Sequence, residues 1–154
     1  MSLMNEVGRI SEAVVLAELA KLGFTVLVPF GGGTRYDLVV DHGNGLARVQ
    51  VKTGRLINGV IRFNGYSIIP DRRTRTRYTA SEVDFFAVRC PDATKVYVVA
   101  VSEAVADNSL RLDPVRNGQA KRIKWAKDYE LCPSSFSVND GGGSVAQSGR
   151  ASPS

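Results

Sequence analysis

The stretch Tyr36-Asp37-Leu38-Val39-Val40-Asp41-His42-Gly43-Asn44-Gly45-Leu46-Ala47-Arg48-Val49-Gln50-Val51-Lys52 decides the fold. Two β-prone runs, Asp37 to Val40 and Leu46 to Lys52, flank the turn formers Asp41 to Gly45, and that arrangement predicts a β-hairpin. Folding about the turn brings Val40 near Leu46 and sets Asp37 roughly opposite Val49 or Gln50. Side chains alternate along a strand, so Arg48, Gln50 and Lys52 share one face while Ala47, Val49 and Val51 share the other. One strand thus carries a polar face and a core face.

Upstream, Val7, Ile10, Val14 and Ala17 recur at helical spacing and Gly23 follows, which predicts an amphipathic helix from about Asn5 to Leu22. Phe24 to Phe30 reads as a first strand, broken by Gly31-Gly32-Gly33. These glycines lack the Lys-Ser or Lys-Thr of a phosphate-binding loop, so they read as a turn. Downstream, Val60 to Phe63 and Tyr66 to Ile69 read as strands joined near Asn64-Gly65, and an arginine-rich loop follows Pro70. Val83 to Cys90 and Lys95 to Val101 are apolar enough to be central strands, Ser102 to Ala106 predicts a short helix, and Lys121 to Tyr129 a last helical stretch.

The chain has 154 residues, 44% of them hydrophobic and 23% charged, which suits one domain with a core of its own. We assign that domain to residues 1–132. Residues 133–154 are rich in Ser and Gly with almost no large apolar side chain, and are expected to be a disordered tail. No apolar run approaches the roughly 18 residues of a spanning helix, so the expectation is a soluble, cytoplasmic protein with no membrane partner. Cys90 and Cys132 stand far apart and read as two thiols rather than a disulfide or a zinc site.

The formal charge of +5 and sequence pI near 9.5 favour a polyanionic partner, and the basic residues are clustered. Arg72, Arg73, Arg75 and Arg77 fall in one short segment followed by Tyr78, and Lys121, Arg122, Lys124 and Lys127 in another. Arginine suits bidentate contacts with phosphate or guanine, and tyrosine packs on sugar or base. The first cluster with Tyr78, together with Arg9 and Arg48, therefore forms the candidate surface for double-stranded DNA.

His42 lies in a predicted turn, and as the one histidine of the chain it leaves no partner for a histidine-based metal site or a Ser-His-Asp arrangement. What remains is a carboxylate and lysine constellation: Glu12, Asp37, Gln50 and Lys52. Mg2+ takes hard oxygens, usually from one or two carboxylates, phosphate and waters. Asp37, the Gln50 side-chain oxygen and the Val51 carbonyl can supply such ligands from paired strands, with Glu12 acting directly or through water, and Mn2+ can substitute. A metal-bound water is acidified, and an ammonium such as Lys52 can orient it and stabilise the charge that builds on phosphorus. Short patterns like D…QxK recur by chance, and singly each residue also reads as an ordinary exposed side chain.

Gly8-Arg9-Ile10-Ser11-Glu12 in a helix, Tyr36-Asp37-Leu38-Val39-Val40, and Val49-Gln50-Val51-Lys52 together resemble the PD-(D/E)xK nuclease superfamily. Arg77 to Val88, Val96 to Val99, Asn117, Gln119 and Ala126 to Tyr129 are similar to its small bacterial branch, which contains a cyanobacterial group I intron homing endonuclease. The likeness spans roughly Gly8 to Leu131. It implies an α/β fold with a mixed central β-sheet flanked by helices, a restriction-endonuclease-like core, together with metal-dependent phosphodiester hydrolysis of DNA and a dimer or tetramer, with Glu12, Asp37, Gln50 and Lys52 at the catalytic places. Two departures stand out: Tyr36 precedes Asp37 where a proline is usual, and Gln50 replaces the usual acid. The leading expectation is a sequence-specific homing endonuclease. The alternatives are a Holliday-junction-resolving nuclease and a DNA-binding protein of the same fold that has lost catalysis.

Overall fold

The computed structural model describes residues 3–69, 74–113 and 123–137. Helix α1 (Leu3–Lys21) opens it, and stops where the sequence supplies a glycine. Gly23 adopts φ +89°, its N–H donates to Ala20 O at 3.0 Å, and the Phe24 N–H reaches back to Leu19 O at 3.1 Å. That pair of bonds is the Schellman closure, which needs a left-handed residue at this place. No described helix is long and apolar enough to cross a membrane.

Strands β1 (Thr25–Leu27), β2 (Leu38–Asp41) and β3 (Leu46–Thr53) follow. Strands β4 (Arg55–Ile57), β5 (Val60–Asn64), β6 (Tyr66–Ile69) and β7 (Thr74–Arg77) precede β8 (Phe85–Arg89), β9 (Val96–Ala100) and β10 (Asp107–Arg111). Five of them form a mixed sheet in the order β1-β2-β3-β8-β9, antiparallel throughout except for the parallel pair β3–β8. Leu38 pairs with Val49, so one further step of the register puts Asp37 opposite Gln50, as the hairpin reading allowed. The parallel pair is pinned at its start by Asp84, whose N–H donates to Arg48 O at 2.9 Å while its carboxylate accepts the Arg48 N–H at 2.8 Å.

The alternation expected for β3 holds. Ala47, Val49 and Val51 are buried with Leu38, Val40, Ala87, Val96 and Val98 beneath Val15 and Leu19 of α1. Phe86, Val88, Tyr97 and Val99 point to the opposite face of the sheet, where Ile61, Phe63 and Leu110 cover them. Those covering residues belong to β5 and β10 of a second sheet, ordered β10-β5-β4. The mixed sheet flanked by helix is as expected; among the described residues α1 is the one long helix, and the second face is closed by strands.

Several boundaries also differ. The first strand covers Thr25–Leu27 alone, and Val28 and Phe30 are exposed beyond it. β5 and β6 do not pair with each other: β5 pairs with β4 and β10, and β6 with β7. Residues 74–77 are therefore strand where a loop was expected, with Arg75 opposite Ile68 and Arg77 opposite Tyr66. The short helices expected near Ser102 and from Lys121 are single 3₁₀ turns at Val101–Glu103 and Ala126–Tyr129. The boundary at Cys132 falls short of the packed chain, because Phe136 is fully buried and meets Phe24 and Phe85 edge to face at 5.4 and 5.2 Å. The remainder of the expected tail, and Arg72, Arg73, Asn117, Gln119, Lys121 and Arg122, lie outside the described residues.

Candidate active site

β2 and β3 part company at Asp37. The Asp37 N–H still donates to Val49 O at 2.9 Å, but its carboxylate Oδ2, rather than a backbone carbonyl, accepts the Val51 N–H at 2.9 Å. This turns the carboxyl group across the end of the sheet toward α1. Glu12 of α1 lines the same cleft, of about 440 Å³, with Asn5, Gly8, Arg9, Gln50, Val51 and Thr53. Ser11, fully buried, shares a 2.6 Å hydrogen bond with Thr53 Oγ1 and fastens α1 to the end of β3.

The carboxyl groups are electrostatically uncomfortable. Burial raises the Asp37 carboxyl above its ordinary range, against the Val51 N–H and the Lys52 charge, which lower it. Burial also raises Glu12, the Asp37 charge adds to that, and Arg9 opposes it. Gln50 Nε2 donates a long 3.4 Å bond to the Val51 carbonyl, which keeps the amide over that oxygen. Among the described residues no group of three or more His, Cys, Asp or Glu is gathered. The donors facing the cleft are instead two carboxylates, an amide oxygen and a backbone carbonyl, all hard oxygens of the kind that suit Mg2+ or Mn2+ completed by water and phosphate.

Lys52 leaves β3 on the other side of Asp37. Its Nζ donates to Asn64 Oδ1 at 2.9 Å and to Tyr66 O at 2.8 Å, and sits 4.7 Å from the centre of the Tyr78 ring. Burial lowers this ammonium to about 8, with the Asp37 charge opposing and the Arg35 charge reinforcing the shift. Two of its three N–H donors are held by oxygens, so its direction is fixed.

The residues proposed for DNA binding separate. Arg9 lines the cleft. Arg75 and Arg77 are exposed on β7, Arg75 stacked over Tyr66 at 4.7 Å and Arg77 donating to Ala104 O at 3.3 Å. Arg48 is occupied internally: Nε and Nη2 grip both oxygens of Asp84 at 3.0 Å, and Nη1 and Nη2 reach Ser81 O and Ala80 O at 2.7 and 3.2 Å. A guanidinium so committed pins β3 to the start of β8. Tyr78 is a buried core ring, edge to face with Phe86 at 5.6 Å, and serves as a floor under two cations instead of a surface contact. The arginines before it suggested exposure, but the ring follows the end of β7 back into the core. Arg35, Asn64 and Tyr66 were not singled out from the sequence. Arg35 carried a faint signal, two residues before Asp37; the Tyr66 contribution is a backbone oxygen and carries none.

A family model for the PD-(D/E)XK endonucleases matches residues 4–132. No curated protein shows detectable similarity to the chain. Among solved structures, the bacterial homing endonuclease I-Ssp6803I aligns with a TM-score of 0.68 at 23% identity, over 84% of this chain and 89% of its own. The Holliday junction resolvase Hjc of the archaeal hyperthermophile Archaeoglobus fulgidus aligns at 0.43 and 17% identity, over 68% of this chain and 83% of its own. The first likeness is one of fold, and the second is too distant to bear on the site. The matched span contains Glu12, Asp37, Gln50 and Lys52 along with every strand described above, and on that match the chain belongs to the PD-(D/E)XK endonuclease family and is a nuclease.

Proposed function

We propose that the chain is a metal-dependent endonuclease of double-stranded DNA, of the sequence-specific homing type, acting in the cytoplasm as a homodimer or homotetramer. The observation that carries this reading is that Glu12, Asp37, Gln50 and Val51 line one cleft, with the Lys52 ammonium held by Asn64 and Tyr66 and electrostatically coupled to Asp37. The fold likeness to a bacterial homing endonuclease, which spans most of both chains, supports the choice of type.

Asp37, Gln50, the Val51 carbonyl and Glu12 would hold Mg2+, or Mn2+ in its place. Bound there, the ion supplies an acidified water and neutralises charge on the scissile phosphate. Lys52 keeps one N–H beyond those given to Asn64 and Tyr66, and with metal and DNA bound that donor would serve the attacking water or the phosphate oxygen that gains charge. With its value near 8, most of the population stays protonated at neutral pH. Gln50 brings no negative charge, so the site holds its ion less tightly than one with an acid in that place. Arg9 at the mouth of the cleft attracts the backbone phosphates.

The test is cleavage of a randomised linear duplex library, supercoiled plasmid and a four-way junction, each with Mg2+, Mn2+ or chelator. The expected outcome is metal-dependent cutting of one linear duplex sequence, with junctions of unrelated sequence left largely intact. Resolution of any junction by paired nicks would replace the homing reading with a resolvase. Tight DNA binding without cutting in either metal would mark a degenerate binding protein.

A further inference from the structure

The β6–β7 ribbon shares no ladder with either larger sheet. Its base is tied down by Gly65, whose N–H donates to Ala106 O at 2.9 Å and whose carbonyl accepts the Tyr78 N–H at 3.1 Å. Beyond that base, side chains hold it against the segment bearing Asp37, just before β2, and Arg35 makes most of the bonds. Nη1 donates to Ser67 Oγ at 2.7 Å on β6, and Nη2 donates to Arg77 O at 2.9 Å and Thr76 O at 3.3 Å on β7. One guanidinium therefore spans both strands of the ribbon. It also lies over the Tyr78 ring at 4.0 Å, the same ring that stands 4.7 Å from Lys52 Nζ. Its Nε is shielded from solvent without a hydrogen bond and lies 3.5 Å from Glu82 Oε2.

We infer that Arg35 is a positioning residue: it clamps the ribbon to the segment that carries Asp37 and leads into β2, and so fixes where the Lys52 ammonium points. This rests on the nuclease reading of the cleft. The link is geometric. Lys52 takes its bearing from Tyr66 O, which belongs to β6, and from Asn64, which precedes it. Arg35 stands two residues before Asp37 and grips that ribbon from both strands, so one side chain ties the acceptors of Lys52 to the backbone that presents the carboxylate. Charge alone does not achieve this, because three acceptors and a flat aromatic contact need the planar fork of a guanidinium. A ribbon free to shift by an ångström carries the Lys52 acceptor with it, and displacements of that size near reacting groups cost about a hundredfold in rate.

The test compares Arg35→Lys with the wild type by amide hydrogen exchange and by nicking of supercoiled plasmid in Mg2+ and in Mn2+ across a range of protein concentrations. Exchange in Tyr66–Ile69 and Thr74–Arg77 is expected to quicken at least about tenfold, with β8 and β9 unchanged. The nicking rate at saturating protein is expected to fall at least about tenfold, with the half-saturating concentration moving less than about threefold. Ser67→Ala removes one of the three acceptors of Arg35, together with a hydrogen bond to the Tyr78 side chain, and should repeat the pattern in weaker form, which keeps the inference testable if Arg35→Lys does not fold. Unchanged ribbon exchange overturns the clamp. Faster ribbon exchange with an unchanged saturated rate overturns the positioning role, and so does an equal loss in rate and half-saturation with faster exchange in β8 and β9. If the wild type nicks in neither metal, the nuclease reading fails, and the exchange data still decide whether Arg35 clamps the ribbon.

Discussion

At Asp37 a carboxylate replaces a backbone carbonyl as the acceptor of the Val51 N–H, so the same group finishes a ladder and opens a cleft. Asparagine keeps an oxygen at that place and loses the charge. Asp37→Asn should therefore fold normally and lose at least about a hundredfold in cleavage, with DNA affinity within about tenfold; Lys52→Ala should lose as much. Rate and affinity measured side by side check this, and an equal fall in both would assign these residues to binding or folding. Gln50→Glu adds the missing negative charge and should tighten Mg2+ binding by calorimetry; weaker binding would remove Gln50 from the ligand set. Away from the cleft, burial pushes the Asp84 carboxyl up, but the hydrogen bonds and charge of Arg48 outweigh it and hold the group below its ordinary range. A depressed acid contributes stability above its unfolded value, near 4, and loses it as pH falls through the folded one. The pair is partly solvent-screened, so Asp84→Asn should cost on the order of 1 kcal/mol, about 2–4 °C in Tm at pH 7. Thermal melts should show that gap closing below about pH 4, and a gap that persists in acid would mean the pair is not its source. Asp37, Gln50 and Lys52 were legible in the sequence because alternation along one strand and the register of one hairpin are local properties. The Arg48–Asp84 pair was not legible, because Asp84 is brought to Arg48 by the parallel pairing of β3 with β8, and neither was the packing of Tyr78 on Phe86, a tertiary contact with no local signal.

Among the elements, the hairpin of β2 and β3 was readable from its turn formers and from the spacing of its apolar residues. β4 was missed although its signal was present: Asn58-Gly59 separates it from β5, and both residues take positive φ, +50° and +77°, as a tight two-residue hairpin turn requires. The β6–β7 pairing escaped notice because arginines and threonines on an exposed strand resemble a loop, and no apolar alternation marks β7, whose four residues are all exposed. That exposure gives the ribbon a basic outer surface, and a two-stranded ribbon is slim enough to enter a major groove. Arg75→Ala should lower duplex affinity and reduce the salt dependence of binding by about one unit of slope. A titration across salt concentrations checks it, and an unchanged slope would show that Arg75 meets no phosphate.

On the scale of the whole molecule, the sheet is enclosed by α1 on one side and by β4, β5 and β10 on the other, and Phe136 closes the first side near Phe24 and Phe85. The composition after Pro133 concealed this, since one aromatic residue among serines does not change the character of a segment yet fills a place in the core. Phe136→Ala should cost about 3–5 kcal/mol. A chain ending after Cys132 should melt at least as low, while one ending after Ser137 keeps the contact; equal melting of the two shortened chains would show that the ring adds nothing. The parallel pair β3–β8 has a further consequence. Its two strands are adjacent, yet residues 54–84 run between them, carrying β4 to β7 outside the central sheet. Within that excursion, Asn64, Tyr66, Ser67, Thr76 and Arg77 supply the acceptors of Lys52 and Arg35, whereas Ile68 and Arg75 lie opposite each other farther along the ribbon. The excursion thus joins a stem whose groups hold Lys52 and Arg35 to outer residues that do not, so exchanging Ile68 or Arg75 should disturb the position of Lys52 far less than exchanging Ser67.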